Sequence, residues 1–79
     1  MEKSIYSAEH KFLVQQLQHA RKDAGLSQKD AARLLEKTQS YISKVESGQS
    51  RIDIIELQHF AAIYKKPLDF FIANSELLG

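Results

Sequence analysis

Five helices and no strand are what this 79-residue sequence predicts, on three observations. Apolar residues recur at helical spacing in every segment long enough to test. No segment sustains the period-two alternation of a half-buried strand. Breakers are scarce, and Gly25, Gly48 and Pro67 each fall where a helical pattern stops or starts. The class is therefore all-α.

The elements follow in order. Residues 1–7 form a short N-terminal arm, with little in it to bury. Ser7 suits the cap of a first helix, with Glu9 in its first turn. Leu13, Leu17, Ala20 and Ala24 make one apolar stripe that stops at Gly25. Ser27 followed by Asp30 has the pattern of a capping box, with Asp in place of Glu. A second helix then runs from Gln28 to Leu35, with Ala31, Ala32, Leu34 and Leu35 in one arc. After Glu36-Lys37-Thr38 a third helix, capped by Thr38, covers Gln39 to Ser47. Gly48 ends it. Asp53 and Glu56 repeat the capping-box pattern ahead of a fourth helix, where Ile54, Leu57, Phe60, Ala61 and Tyr64 share a face. Pro67 suits the start of a fifth, in which Leu68, Phe71 and Ile72 complete the core. The folded domain spans 8–74, and residues 75–79 are a tail.

The third helix carries the functional signal. With Gln39 at the origin, Ser43, Ser47, Ser40 and Lys44 fall at about 40°, 80°, 100° and 140°. Tyr41, Val45 and Ile42 occupy roughly 200–300°, with Glu46 near 340°. One face is apolar and must pack on the domain. The other is polar and short-sided, with small hydroxyls, one amide and one cation, where an ordinary solvated face carries long Glu–Lys pairs. That composition favours close approach to a surface rich in donors and acceptors.

Composition bounds the alternatives. The absence of cysteine excludes a disulfide framework and thiolate metal sites. No apolar run reaches the roughly 18–20 residues of a membrane span, and the N-terminus lacks the apolar core of a secretory signal, so the expected compartment is the cytoplasm. His10, His19 and His59 are not at i, i+4 spacing, no serine stands in a glycine-flanked nucleophile turn, and the glycines are too isolated for a phosphate loop. Capping accounts for Asp53, Glu56 and Asp69. No enzyme, metal or cofactor is expected.

Two short helices joined by a three-residue turn, with Ala32 where they cross, describe a helix-turn-helix. Its second helix would enter the major groove of double-stranded DNA. Gln39 then pairs with adenine, Lys44 donates to guanine, and Ser40 or Ser43 serves either. Gln28 and the first amides of the second helix face a phosphate, with Ser50 and Arg51 at the other side. Lys29, Lys37, Tyr41 and Ser47 are further phosphate candidates. The competing interpretation is an amphipathic surface helix with no ligand.

These residues resemble the Cro/cI-type, or xenobiotic-response-element, helix-turn-helix family. The resemblance runs from about Leu17 to Ile72. It is most specific in Gly25-Leu26-Ser27-Gln28, Ala32, Leu35 and the run Gln39 to Gly48, with Pro67-Leu68-Asp69-Phe70-Phe71 resembling the family's fifth-helix start. It implies a phage-repressor-like DNA-binding domain with the helix-turn-helix in helices two and three. It also implies that Gln28 contacts phosphate and orients base-reading groups, that Gln39, Ser40, Ser43 and Lys44 read bases, and that Arg21 and Glu46 form a structural pair between the first and third helices. Two positions depart from the family: Glu36 and Lys65 stand where glycine is common, at about 1 kcal/mol each if left-handed.

One recognition helix spans few base pairs, so a homodimer on a two-fold symmetric operator is expected. Ile63, Phe70, Leu77 and Leu78 are its candidate contacts, though they would equally serve to finish the core. The leading reading is a transcriptional regulator, most simply a repressor. The alternative is a helical protein-interaction module such as an antitoxin. A net charge of +1 seems to oppose DNA binding, but residues 21–51 hold seven basic and four acidic side chains, leaving +3 there and −2 elsewhere. The charge is dipolar.

Overall fold

The computed structural model describes residues 8–72. Four α-helices follow one another: α1 (Ala8–Asp23), α2 (Gln28–Leu35), α3 (Gln39–Glu46) and α4 (Ile54–Tyr64). A 3-10 turn, Leu68–Phe71, follows them. There is no strand among the described residues. The N-terminal arm, Ser7 as a cap, the tail and the contacts expected of Leu77 and Leu78 lie outside them.

Short polar side chains start α2, α3 and α4. Ser27 Oγ accepts from the Asp30 amide at 3.0 Å, and Asp30 accepts from the Ser27 amide at 3.1 Å, completing a capping box. Asp53 and Glu56 do the same for α4, at 2.7 and 3.1 Å. Thr38 Oγ1 accepts from the Tyr41 amide at 3.1 Å and starts α3.

All four helices end alike. The amide after each left-handed residue reaches back to a carbonyl five positions earlier: Leu26 to Arg21 at 3.1 Å, Lys37 to Ala32 at 2.8 Å, Gln49 to Lys44 at 3.0 Å and Lys66 to Ala61 at 3.1 Å. This is the Schellman arrangement, and it needs positive φ at the residue between. Gly25 and Gly48 supply it at 73° and 83°, but Glu36 and Lys65 also adopt it, at 60° and 59°. The two departures from the family pattern are therefore held in the strained conformation that glycine would take without a Cβ penalty.

The core draws on every element. Leu17 and Ala20 come from α1, Ala31 and Ala32 from α2, Ile42 and Val45 from α3, Leu57, Phe60, Ala61 and Tyr64 from α4, and Phe71 from the 3-10 turn. Adjacent alanines on α2 leave room for α3 to pack closely across it, which fixes how α3 is presented. Phe60 lies between Tyr64, at 5.7 Å, and Tyr41, at 6.3 Å between ring centroids.

Several expectations need correction. The fifth helix is only a 3-10 turn in the described residues. Pro67 precedes it in an extended conformation, without a side-chain cap, and the bonds are i to i+3, as in Phe70 N–H to Pro67 O. The third helix stops at Glu46, with Ser47 as its cap. Ala24 is exposed, because α1 has already turned into its cap. Leu34, at 54% exposure, is on the rim of α2's buried face, which centres on the two alanines. Ile54 opens α4 beyond the core's edge, and Ile72 leaves the 3-10 turn extended, so both are exposed.

Candidate nucleic-acid interface

The inner and outer faces of α3 separate cleanly. Ile42, Val45 and Glu46 are buried, whereas Gln39, Ser40, Ser43, Lys44 and Ser47 are exposed. The polar side chains at the start of the helix and along its outer surface thus form one continuous strip. Thr38 fixes where that strip begins.

Behind the strip stands a buried ion pair. Arg21 Nε donates to Glu46 Oε2 at 2.6 Å and Nη2 to Oε1 at 3.0 Å, with side-chain exposures of 12% and 6%. Arg21 Nη1 also donates to Leu26 O at 2.9 Å, in the turn that precedes α2. Gln18 Nε2 donates to the Glu46 backbone carbonyl at 2.7 Å, and Gln28 Nε2 donates to Glu46 Oε1 at 3.1 Å. The Glu46 hydrogen bonds and charge raise the Arg21 pKa above its ordinary value, against the opposing effect of burial. Three side chains from α1 and α2 therefore hold the C-terminal end of α3.

The expected phosphate contacts have varied settings. Gln28 is half-buried at the first position of α2, and its neighbour Lys29 is exposed. The capping box uses the amides of Ser27 and Asp30, so the Gln28 and Lys29 amides point from the helix start. Lys37 lies 5.2 Å above the Tyr41 ring. Tyr41 is half-buried, and burial, followed by the facing Glu56 and Asp53 carboxylates, pushes its hydroxyl up to about 12. That acidic setting suits a phosphate poorly. Ser47 Oγ donates to Lys44 O at 3.1 Å, so it must turn to donate elsewhere. Ser50 is half-buried and Arg51 exposed, in the segment joining α3 to α4. Arg33 is paired with Asp30 at 2.8 Å.

A family model described as helix-turn-helix matches residues 17–71. The chain belongs to the Cro/cI-type helix-turn-helix family. No curated protein matches it. Family membership makes it a DNA-binding domain. In this helix-turn-helix protein α2 and α3 are the two short helices joined by the turn at residues 36–38. Among the described residues, no group of His, Asp and Glu side chains is arranged to hold a metal ion, and no helix is long and apolar enough to cross a membrane.

Sequence pattern gives no role to Gln18, although it stands three residues before Arg21 and so shares its face of α1. The same holds for Gln16, which donates to Phe70 O at 3.0 Å. Both are half-buried amides beside the apolar stripe of α1, and a hydropathy pattern carries no signal for them.

Proposed function

We propose that this protein is a sequence-specific transcriptional regulator that reads the major groove with Gln39, Ser40, Ser43 and Lys44, and represses by occupying promoter DNA. The observation that carries the reading is the exposed polar face of α3 opposite the buried Ile42, Val45 and Glu46. Lys29 and Arg51, with the free amides at the start of α2, supply phosphate contacts around it. Lys44 can donate to guanine O6 or N7, and the Gln39 amide can donate to adenine N7 while accepting from N6.

Dimerisation belongs to the proposal because a single recognition helix covers few base pairs. Of the candidate contacts, Ile63 and Phe70 are half-buried against the core, so only part of each is available to a second copy. Among the described residues, the large apolar side chains most open to solvent are Leu34, Ile54, Ile55 and Ile72.

Titration of a promoter-sized duplex at several salt concentrations tests the reading. Saturable binding that weakens as salt rises is expected, with a moderate slope in keeping with few cations per subunit. Binding that ignores salt, or none, would favour the protein-interaction alternative.

A further inference from the structure

We infer that Glu46 is a positioning residue of the DNA interface, acting through Gln28. The inference rests on the proposed function and adds a role for a buried acid that no DNA contact can reach. Glu46 Oε1 accepts from Arg21 Nη2 at 3.0 Å and from Gln28 Nε2 at 3.1 Å, while Oε2 takes Arg21 Nε. The ion pair thus has a third member, and that member stands at the exposed start of α2.

The chemistry fixes one orientation of the Gln28 carboxamide. Its nitrogen faces a carboxylate, which accepts only; the opposite orientation would set two acceptors against each other. The second N–H and Oε1 of Gln28 are then left for other partners. The N–H can donate to a phosphate oxygen, and Oε1 can accept from a donor on the recognition surface. An exposed glutamine must otherwise give up side-chain rotamer freedom when it binds. Gln28 has given up much of it already, because a charge-assisted bond holds it on a buried anchor that Arg21 itself fixes. Glu46 therefore does two things: it ties α3 to α1, and it orders a phosphate-binding group before DNA arrives.

A double-mutant cycle on DNA affinity tests this, with the duplex selected from random sequence by the wild-type chain as probe. Gln28→Ala is expected to weaken binding about tenfold, which is about 1.4 kcal/mol. Glu46→Gln is expected to weaken it by roughly three- to tenfold in the wild-type background, but less than about twofold when Gln28 is already Ala. Equal losses in both backgrounds would overturn the inference. So would an unaltered affinity for Gln28→Ala while Lys44→Ala still binds poorly, a result that leaves the functional reading standing. If Gln28→Ala, Lys44→Ala and Gln39→Ala all bind as wild type does, the functional reading itself fails. A measurement on the unmutated, DNA-free protein guards against misfolding of Glu46→Gln. The Gln28 side-chain amide should show an NMR order parameter near that of rigid backbone, about 0.85, with exposed Gln39 as the mobile reference. A value for Gln28 as low as that of Gln39 would overturn the inference.

Discussion

Arg21 and Glu46 meet in a two-pronged contact, Nε to Oε2 and Nη2 to Oε1, that joins the last turn of α1 to the last residue of α3. Both side chains are nearly out of solvent, so neither ion can exchange its partner for water. Removing one leaves an unpaired buried charge, and Glu46→Ala should cost about 3–5 kcal/mol in urea unfolding. Replacing both, as Arg21→Met with Glu46→Leu, should recover most of that loss. A loss below about 1 kcal/mol for Glu46→Ala would place the pair with ordinary surface salt bridges.

Glu36 and Lys65 are the clearest routes to a more stable protein. Each holds a left-handed φ in a Schellman turn, where a side chain has a Cβ penalty and glycine has none. Glu36→Gly and Lys65→Gly should each stabilise by about 0.5–1 kcal/mol, after allowing for the greater freedom of glycine in the unfolded chain. The reverse change, Gly48→Ala, should destabilise by about 1 kcal/mol through backbone strain. A Cβ at position 48 has open space around it, so a clash plays no part. Thermal melts of the three variants check both signs.

Tyr64 is buried, and its hydroxyl has no hydrogen-bond partner among the described residues. Removing an unsatisfied hydroxyl relieves its desolvation, so Tyr64→Phe should stabilise by about 1 kcal/mol. Burial, with Glu46 nearby, raises the Tyr64 pKa, and burial raises that of Tyr41 to about 12. Unfolded tyrosine ionises near pH 10. The folded hydroxyls keep their protons longer, so this stability is complete below about pH 10 and is lost as pH rises toward the folded values. Alkaline unfolding should therefore begin near pH 10. It should move upward in Tyr41→Phe and Tyr64→Phe, as followed by circular dichroism.

Acid acts through a different residue. Hydrogen bonds from the Ser27 backbone and side chain, assisted by Arg33 and Lys29, hold the Asp30 carboxyl below the usual carboxylate range. Its contribution is present above the unfolded value near pH 4 and is lost as pH falls through the lowered one. Asp30→Asn should flatten the acid limb of the stability–pH curve, and an unaltered limb would remove Asp30 from that account.

Much of this was legible in the sequence because its signals are local. Ser27–Asp30, Thr38 and Asp53–Glu56 mark helix starts by residue type, and all three caps form. The two faces of α3 followed from its period alone. Where local pattern must yield to packing, it misled: Leu34 and Ile54 fit apolar stripes but lie past the reach of the core in so small a domain. The link from Gln28 to Glu46 joins residues 18 positions apart, and a helical wheel drawn one segment at a time cannot contain it.

The central claim is that the outer face of α3 reads bases, and parallel selection from random duplex DNA by the wild-type chain and Lys44→Ala tests it most directly. The wild-type chain should enrich one motif, repeated in two half-sites about one helical turn apart. The variant should enrich that motif with its preference lost at one or two positions in each half-site, where a lost base contact weakens discrimination by about 1–3 kcal/mol. No enrichment by the wild-type chain, or an identical motif from both, would contradict it.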